Sequence, residues 1–186
     1  MTAEGRPMMK LLSLWQPWAS AMAWGWKKHE TRGRRTDYRG PVAIHATKQS
    51  PYDPRRYAVD ALQEGGRPDL IPTLEGRVFP MGAIVAVGEI VGCQFVDSKR
   101  NFGDIEISPL ERAWGNYEPL FRWIWVMKDV RAVVPYPCKG SQGMIDLPEE
   151  VQRRLIYLEK LKDLKLDDDD FEFRHGSTGI GHPTEM

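Results

Sequence analysis

Residues 25–32 read GWKKHETR and bring opposite charges together within a short segment. A glycine ends a short apolar helix there, and the charged side chains of Lys27, Glu30 and Arg32 follow it. On an extended backbone successive side chains point to opposite faces, so Glu30 and Arg32 share one face, over which Lys27 can fold from the turn. Such a cluster is either a salt-bridged structural clasp or the polar floor of a ligand pocket, and both interpretations are open at this point.

Length and composition are those of an ordinary single domain. The chain has 186 residues, of which 41% are hydrophobic, and single domains typically contain about 100–200 residues. No apolar run reaches the roughly 18–20 residues of a membrane span, and residues 1–7 contain no apolar signal region, so we expect a cytoplasmic protein with no membrane partner. The cysteines, Cys93 and Cys138, lie far apart, which indicates buried thiols rather than a zinc site or a disulfide framework. We predict no metal and no cofactor.

The formal net charge is +0, but the charge is unevenly distributed. Between residues 26 and 39, six basic residues stand against two acidic ones, which gives a local charge of +4. The loop residues Arg34, Arg35 and Arg39 belong to this group, and a compensating acidic run lies at 167–170. A basic patch in a neutral chain can still attract phosphate, although charge runs are more often simply solvated.

Apolar patterns predict several strands with few helices between them, which favours a mixed barrel. Strands are predicted at 9–14, 41–46, 82–93 and 121–134, and helices at 18–24, 54–64, 109–117 and 149–166. Seven tryptophans favour a bulky barrel core. The predicted organisation is a disordered leader at 1–8, the folded domain at 9–147, an amphipathic helix at 148–166 and an acidic disordered tail at 167–186.

Two further segments carry candidate ligand-binding groups. Trp15 and Gln16 lie at the turn before the first helix, where an aromatic face and an amide can meet a base or another planar ligand. Residues 139–143 read KGSQG, and the glycines around Ser141 and Gln142 let the backbone pass close to a ligand or to another strand. A pocket with a cation, a carboxylate, an amide and an aromatic wall suits a nucleobase, and a basic loop at 34–39 suits the adjoining phosphates.

Taken together, these motifs resemble the ASCH family (activating signal cointegrator homology). The resemblance covers roughly residues 9–147 and rests on LSLWQPWA at 12–19, on G-x-K-x-x-E-x-R at 25–32, on YRG at 38–40, on IHA at 44–46 and on the closing G-x-Q-G at 140–143. It implies an α+β fold, a PUA-like mixed β-barrel with peripheral helices, related to domains that bind RNA or read modified bases. It also implies a cleft lined by Lys27, Glu30 and Arg32.

The same resemblance implies two possible activities. One branch of the family looks like an amidohydrolase of acetylcytidine that uses a lysine, a threonine and a glutamate. Lys27 matches that lysine, whereas Glu30 stands where the threonine is expected. Other members are metal-independent ribonucleases, for which a lysine and the hydroxyl of Tyr38 or Ser141 would serve as acid and base.

From these observations we predict an RNA- or nucleotide-binding ASCH domain that recognises a base, modified or unmodified, in the Lys/Glu/Arg-lined cleft. The predicted partner is RNA or a modified nucleoside or nucleotide. The alternative is a metal-independent hydrolase of RNA or of an acylated nucleoside, with Lys27 and Glu30 as its catalytic pair. The predicted ligand-binding residues are Trp15, Gln16, Lys27, Glu30, Arg32, Arg34, Arg35, Tyr38, Arg39, Lys139, Ser141 and Gln142.

Overall fold

A computed structural model describes residues 8–96, 102–115, 117 and 122–163 of the chain. The predicted leader at 1–8, apart from Met8, and the predicted acidic tail at 167–186 lie outside these residues, so their assignments stay predictions. Within the described part no helix is long and apolar enough to cross a membrane.

The centre of the fold is one mixed sheet of six strands in the order β2-β5-β4-β3-β1-β6. Strands β1 and β3 run parallel, and every other neighbouring pair is antiparallel. The strands are β1 (Lys10–Leu14), β2 (Glu30–Arg32), β3 (Gly40–Ala46), β4 (Ala83–Val96), β5 (Arg122–Pro137) and β6 (Met144–Asp146).

Strand β4 has a run of apolar residues at 83–87 that does not alternate with polar ones. Val85, Ala86 and Ile90 pack into the cluster that fills the inside of the curved sheet, together with Trp125 of β5. Ile84 and Val87 pack into a second cluster beneath the C-terminal helix. Because both faces of the strand are buried, both sets of positions are apolar.

The helices lie at the periphery of the sheet. They are α1 (Trp18–Ala23), α2 (Pro54–Glu64), α3 (Pro109–Trp114) and α4 (Glu149–Asp163), and a 3-10 helix spans Pro68–Leu74. Asp53 caps α2 by accepting hydrogen bonds from the backbone N–H groups of Arg55 and Arg56, and Ser108 caps α3 by accepting from Glu111 N. Leu155 of α4 is fully buried against the sheet.

Most of the tryptophans do not fill the sheet core, contrary to the sequence-based expectation. Trp26 and Trp114 are buried between α1, α2 and α3, and Trp18 and Trp24 pack against them. Trp125 is the fully buried tryptophan of the sheet. Most of the large aromatic side chains therefore form a separate helical layer, and the sheet interior is filled mainly by aliphatic side chains around Trp125.

The sheet curls until its distant strands meet. Three strands separate β2 from β1 in the sheet order, yet Arg32 Nη2 of β2 donates a hydrogen bond of 3.0 Å to the carbonyl oxygen of Ser13 in β1. This contact partly closes the sheet into a half-barrel. The predicted α+β class, a mixed barrel-like sheet with peripheral helices, is confirmed.

Candidate functional site

The backbone turn after α1 directs Lys27 into the protein. Gly25 has a φ of +74°, a left-handed conformation that favours glycine at the end of a helix. The N–H groups of Trp26 and Lys27 both donate to Ala21 O, at 2.9 and 3.2 Å. The chain is thereby folded back over α1, and the Lys27 side chain is 1% exposed.

Lys27 lies at the buried end of a set of charged residues that we call the charged ladder: Lys27, Glu30, Arg32 and Glu111. Its Nζ donates to the backbone oxygen of His29 and lies 3.8 Å from Glu30 Oε2 and 3.9 Å from Glu111 Oε1. A buried ammonium group without partners is strongly unfavourable, so the two carboxylates and the carbonyl are what allow this lysine to be buried.

Glu111 is the member of the charged ladder that the sequence analysis did not find. It comes from α3, and its carboxylate accepts hydrogen bonds from the backbone N–H of Lys28, from His29 N at 3.2 Å and from the Tyr117 hydroxyl. Burial, followed by the charge of Glu111, raises the pKa of Tyr117, so the phenol stays protonated as a donor. The only sequence signal is the Ser-x-x-Glu spacing from Ser108, which predicts a local helix cap rather than this distant contact.

The charged ladder reaches the surface at Arg32. The side chains of Lys27, Glu30 and Arg32 are 1%, 10% and 30% exposed, in that order. Arg32 Nε forms an ion pair of 2.8 Å with Glu30 Oε1, and its guanidinium carbon lies 5.9 Å from the centre of the Trp125 ring. With Nη2 on Ser13 O, the guanidinium is fixed by a carboxylate, a carbonyl and an aromatic ring.

Ser13 joins the KGSQG loop to the end of β1. Its hydroxyl oxygen accepts a hydrogen bond of 3.2 Å from Ser141 N, and it lies 3.2 Å from His45 Nδ1. Burial lowers the pKa of His45, which favours the neutral ring, with Nε2 donating to Cys138 O at 2.9 Å and Nδ1 accepting from Ser13. Gly140 is required here, because a Cβ atom would lie 2.4 Å from His45 Cε1.

The loop after β2 meets the same KGSQG loop. A Cβ atom on Gly143 would lie 3.1 Å from Arg34 Nη2, so the Arg34 side chain runs along this glycine. Arg34 O also accepts a hydrogen bond of 3.0 Å from Trp125 Nε1. Segments distant in sequence therefore converge at one end of the half-barrel. We call this convergence the polar rim, formed by Ser13, Arg32, Arg34, Ser141 and Gln142.

Trp15 and Gln16, at the turn before α1, lie in different environments. Gln16 is fully buried, and its amide nitrogen donates to Ser20 Oγ at 2.8 Å and to Pro80 O at 2.7 Å. The Gln16 side-chain oxygen accepts from Ser20 N at 3.1 Å. Gln16 thus organises the start of α1, whereas the neighbouring Trp15 is exposed and packs its ring edge against Tyr52.

Tyr38 and Arg39 lie near the start of β3, whereas Ser13 and His45 lie near the ends of β1 and β3. The Tyr38 hydroxyl can donate its proton to either of two carbonyl oxygens, Met8 O at 2.9 Å or Pro41 O at 2.7 Å, and burial raises its pKa to about 12. Arg39 donates to Thr36 O and Tyr38 O. Tyr38 and Arg39 therefore stabilise the loop before β3 and are not part of the polar rim.

The remaining predicted cations lie on the surface. Arg35 forms an ion pair of 2.6 Å with Asp37, and its guanidinium lies 5.9 Å from the centre of the Trp123 ring. Lys139 is exposed and directly precedes Gly140, so its backbone borders the polar rim. Two grooves of the described part of the chain lie away from the polar rim: one is lined by residues that include Glu89 and Asp129, and the other lies along α4.

Among solved structures, the chain is similar to those of an ASCH protein and two of its mutants. The ASCH protein of Zymomonas mobilis is 15% identical, with a TM-score of 0.47, and the match covers 81% of this chain and 95% of that chain. A tyrosine-to-phenylalanine mutant of that protein gives the same identity and TM-score, with 82% and 99% coverage. Its serine-to-alanine mutant gives 81% and 96% coverage, again at 15% identity and 0.47. No curated protein matches the chain in sequence.

The family model described as ASCH domain matches residues 12–136. This range begins within β1 and ends within β5, so it contains the charged ladder, the helices α1, α2 and α3 and most of the half-barrel. The mixed, partly closed sheet with peripheral helices agrees with the barrel-like fold that the family resemblance implied. Because the match spans more than half of its length, the chain belongs to the ASCH domain family.

Proposed function

We propose that this chain is an RNA- or nucleotide-binding ASCH domain that holds a base and an adjoining phosphate at the polar rim. The observation that carries the proposal is the convergence of Arg32, Ser13 and Ser141 through hydrogen bonds of 3.0 and 3.2 Å. Family membership supports the class of ligand, since PUA-like domains of this family generally bind RNA. A base, modified or unmodified, is the moiety that we assign to the rim.

Charge supports phosphate as part of the ligand. Inside the protein, the two cations of the charged ladder are matched by the two carboxylates of Glu30 and Glu111. Two further cations are exposed here: Arg34 belongs to the polar rim, and Lys139 lies beside it. Exposed arginine and lysine side chains are the usual partners of nucleic-acid phosphates, and arginine can contact two phosphate oxygens at once.

The base would be read by the polar groups of the KGSQG loop. Gln142 is exposed and carries both a donor and an acceptor, which matches the edge of a nucleobase. The Ser141 hydroxyl donates a hydrogen bond of 3.2 Å to Gln142 O within the same loop. In this proposal Lys27 and Glu30 act as positioning residues, because they fix the guanidinium of Arg32 from the interior.

Titration of a fluorescein-labelled single-stranded RNA over a series of salt concentrations tests the proposal. For single strands the logarithm of affinity falls with the logarithm of salt at a slope of about −0.7 per phosphate contact. We expect Arg34→Gln to weaken binding for all sequences and to make the slope shallower by about 0.7. Arg56→Gln is the matched control, since Arg56 is an exposed arginine on α2. Salt-independent binding, or equal slopes for both variants, would contradict the proposal.

One observation supports considering the hydrolase as a second candidate. Lys27 Nζ lies 3.8 Å and 3.9 Å from two carboxylates, and lysine–carboxylate pairs are common acid–base groups in enzymes. A catalytic role would require substrate to reach a side chain that is 1% exposed, with Arg32 as the outermost residue of the charged ladder. We therefore rank binding first and test hydrolysis separately.

A further inference from the structure

We propose that Trp15 and Tyr52 form a second subsite that stacks a further base of a single-stranded RNA, beyond the nucleotide held at the polar rim. This inference rests on the proposed function and extends it from one nucleotide to a strand. We call Trp15 and Tyr52 the aromatic corner. Their side chains are among the few large apolar groups that the described part of the chain exposes, at 51% and 45%.

The two rings form an open angle rather than a closed stack. Their centres are 6.1 Å apart and their planes are inclined by 60°. Behind them, Tyr52 packs edge-on against Trp18, with centres 5.3 Å apart, and against Tyr57 at 5.8 Å. The aromatic corner is therefore backed by a packed aromatic layer, which holds its exposed faces in place for a planar ligand.

The buried Gln16 fixes the loops that carry these rings. Ser50 Oγ donates to Gln16 O at 2.7 Å, and Tyr52 N donates to Ser50 Oγ at 3.2 Å. On its other side the Gln16 amide donates to Pro80 O, next to the exposed Met81. The aromatic corner is thus positioned by hydrogen bonds and does not depend on the ligand for its geometry.

Two exposed lysines, Lys48 and Lys139, lie along the contacts that join the aromatic corner to the polar rim. Thr47 N donates to Leu14 O at 2.9 Å. The exposed Lys48, next to Thr47, therefore lies near Leu14, the residue that precedes Trp15. The Lys48 side chain lies over Gly82, where a Cβ atom would be 2.8 Å from its Cγ. Gly82 O in turn accepts from Cys138 N at 3.0 Å, one residue before Lys139.

Together these features suit a single strand of nucleic acid. Non-specific binding of single strands combines cations that follow the backbone with aromatic side chains on which successive bases stack. In a duplex the faces of the bases are already stacked on one another, so the aromatic corner would favour unpaired RNA. Because the exposed Lys48 and Lys139 lie between the aromatic corner and the polar rim, a nucleic acid is favoured over a protein as the occupant.

The test is fluorescence anisotropy with a fluorescein-labelled adenosine octamer and the full chain. We expect Trp15→Ala and Tyr52→Ala each to weaken binding by about 5- to 150-fold, the loss typical of one stacked base, with an unchanged salt slope because no cation is removed. Trp15→Phe should retain most of the affinity. Tyr157→Ala is the matched control, since Tyr157 is also 51% exposed but lies on α4.

Three results would overturn the inference, and they are distinguishable. If the wild type binds the octamer with a normal salt slope and both alanine variants bind equally well, the subsite is wrong while the proposed function stands. If the wild type binds no RNA at low salt, both fail. If sedimentation shows self-association that Trp15→Ala abolishes while RNA affinity is unchanged, the aromatic corner is a contact between copies of the chain.

Discussion

Lys27 Nζ lies 3.9 Å from Glu111 Oε1, and both side chains are almost completely buried. The contact joins the charged segment after α1 to α3, the helix that follows β4 in the chain. Glu111 also accepts hydrogen bonds from the backbone of Lys28 and His29, so one carboxylate supports both the charge and the backbone of the segment. The geometry of Arg32 at the polar rim therefore depends on a residue of α3.

Removing the buried ammonium should destabilise the fold strongly. We expect Lys27→Met to lower the free energy of unfolding by about 3–5 kcal/mol, because Glu30 and Glu111 would be left as buried carboxylates without their cation. The measurement is urea unfolding followed by tryptophan fluorescence. Adding Glu111→Gln to Lys27→Met should restore part of the loss, since it removes one of the uncompensated charges.

Lys10→Met provides the control for that experiment. Lys10 forms an ion pair of 2.7 Å with Asp146, but this pair is partly exposed, and such pairs contribute about 0–1 kcal/mol. If Lys27→Met proves as mild as Lys10→Met, the charged ladder does not stabilise the fold. The positioning role proposed for Lys27 would then lose its basis.

The close approach of Gly140 to His45 gives a second prediction. Gly140→Ala would bring a Cβ atom to 2.4 Å from His45 Cε1 and 3.0 Å from Ser13 Oγ, so the KGSQG loop must shift. We expect a loss of about 1–3 kcal/mol of stability, typical of overpacking, and weaker RNA binding from the displaced rim. Thermal melting and anisotropy measure the two effects.

Gly33→Ala is the matched change in the neighbouring loop. No atom lies within 4 Å of a Cβ at Gly33, and its φ is outside the left-handed range. Both stability and RNA binding should remain close to those of the wild type. Comparable losses in the two variants would point to a general effect of alanine in these loops, and the specific contact with His45 would not be needed to explain them.

Local signals in the sequence were sufficient to predict individual elements. The helix predicted at 54–64 is observed as Pro54–Glu64, because a proline at its first position and the Asp53 cap define its start. Strand β4 is observed as Ala83–Val96, longer than predicted, because its end pairs with the start of β5, where Val96 lies opposite Arg122. Pairing with a distant strand cannot be predicted from the local pattern of residues.

The candidate site shows the same division between local and distant information. Glu30 and Arg32 were expected on one face, and their side chains indeed form an ion pair of 2.8 Å. Glu111 could not be assigned to them, because its contact depends on how α3 docks against the segment after α1. Similarly, the sequence marks Gln16 as a possible ligand amide, whereas its bonds to Ser20 and Pro80 arise only when two loops meet.

From two buried histidines we predict that the free energy of unfolding decreases at acidic pH. Burial lowers the pKa of His29 and of His45 below the ordinary value of 6.5. The unfolded chain then binds protons more readily, so their stabilising contribution is complete above about pH 6.5 and declines as the pH falls below that value toward the folded-state pKa. Urea unfolding at pH 7.5 and at pH 5.5 measures the difference.

Substitution of the histidines checks that they are the cause. His29 Nδ1 accepts a hydrogen bond from Met127 N, and His45 Nε2 donates to Cys138 O. His29→Asn and His45→Gln each carry an amide that can replace the bonding atom without titrating. The double variant should lose less stability between the two pH values than the wild type. An equal loss would assign the pH dependence to other groups.

The choice between binding and catalysis rests on turnover of defined substrates. We expect weak or no hydrolysis of acetylcytidine, because Glu30 stands where the resembled amidohydrolases have a threonine and because Lys27 Nζ is enclosed by His29 O and two carboxylates. Wild-type protein without added metal would be incubated with acetylcytidine, other acylated nucleosides and single-stranded RNA. Product formation is followed by liquid chromatography.

Variants of the charged ladder distinguish a catalytic lysine from a structural one. General acid–base groups contribute about 10²–10⁴-fold, so a catalytic Lys27 would make Lys27→Ala lose activity on that scale. Glu111→Gln is the control for weakened packing, because it perturbs the same network from α3, and Lys28→Ala controls for charge, since Lys28 is an exposed neighbour. Rapid wild-type turnover of acetylcytidine that is retained in both controls and lost only in Lys27→Ala would replace the binding proposal with the amidohydrolase.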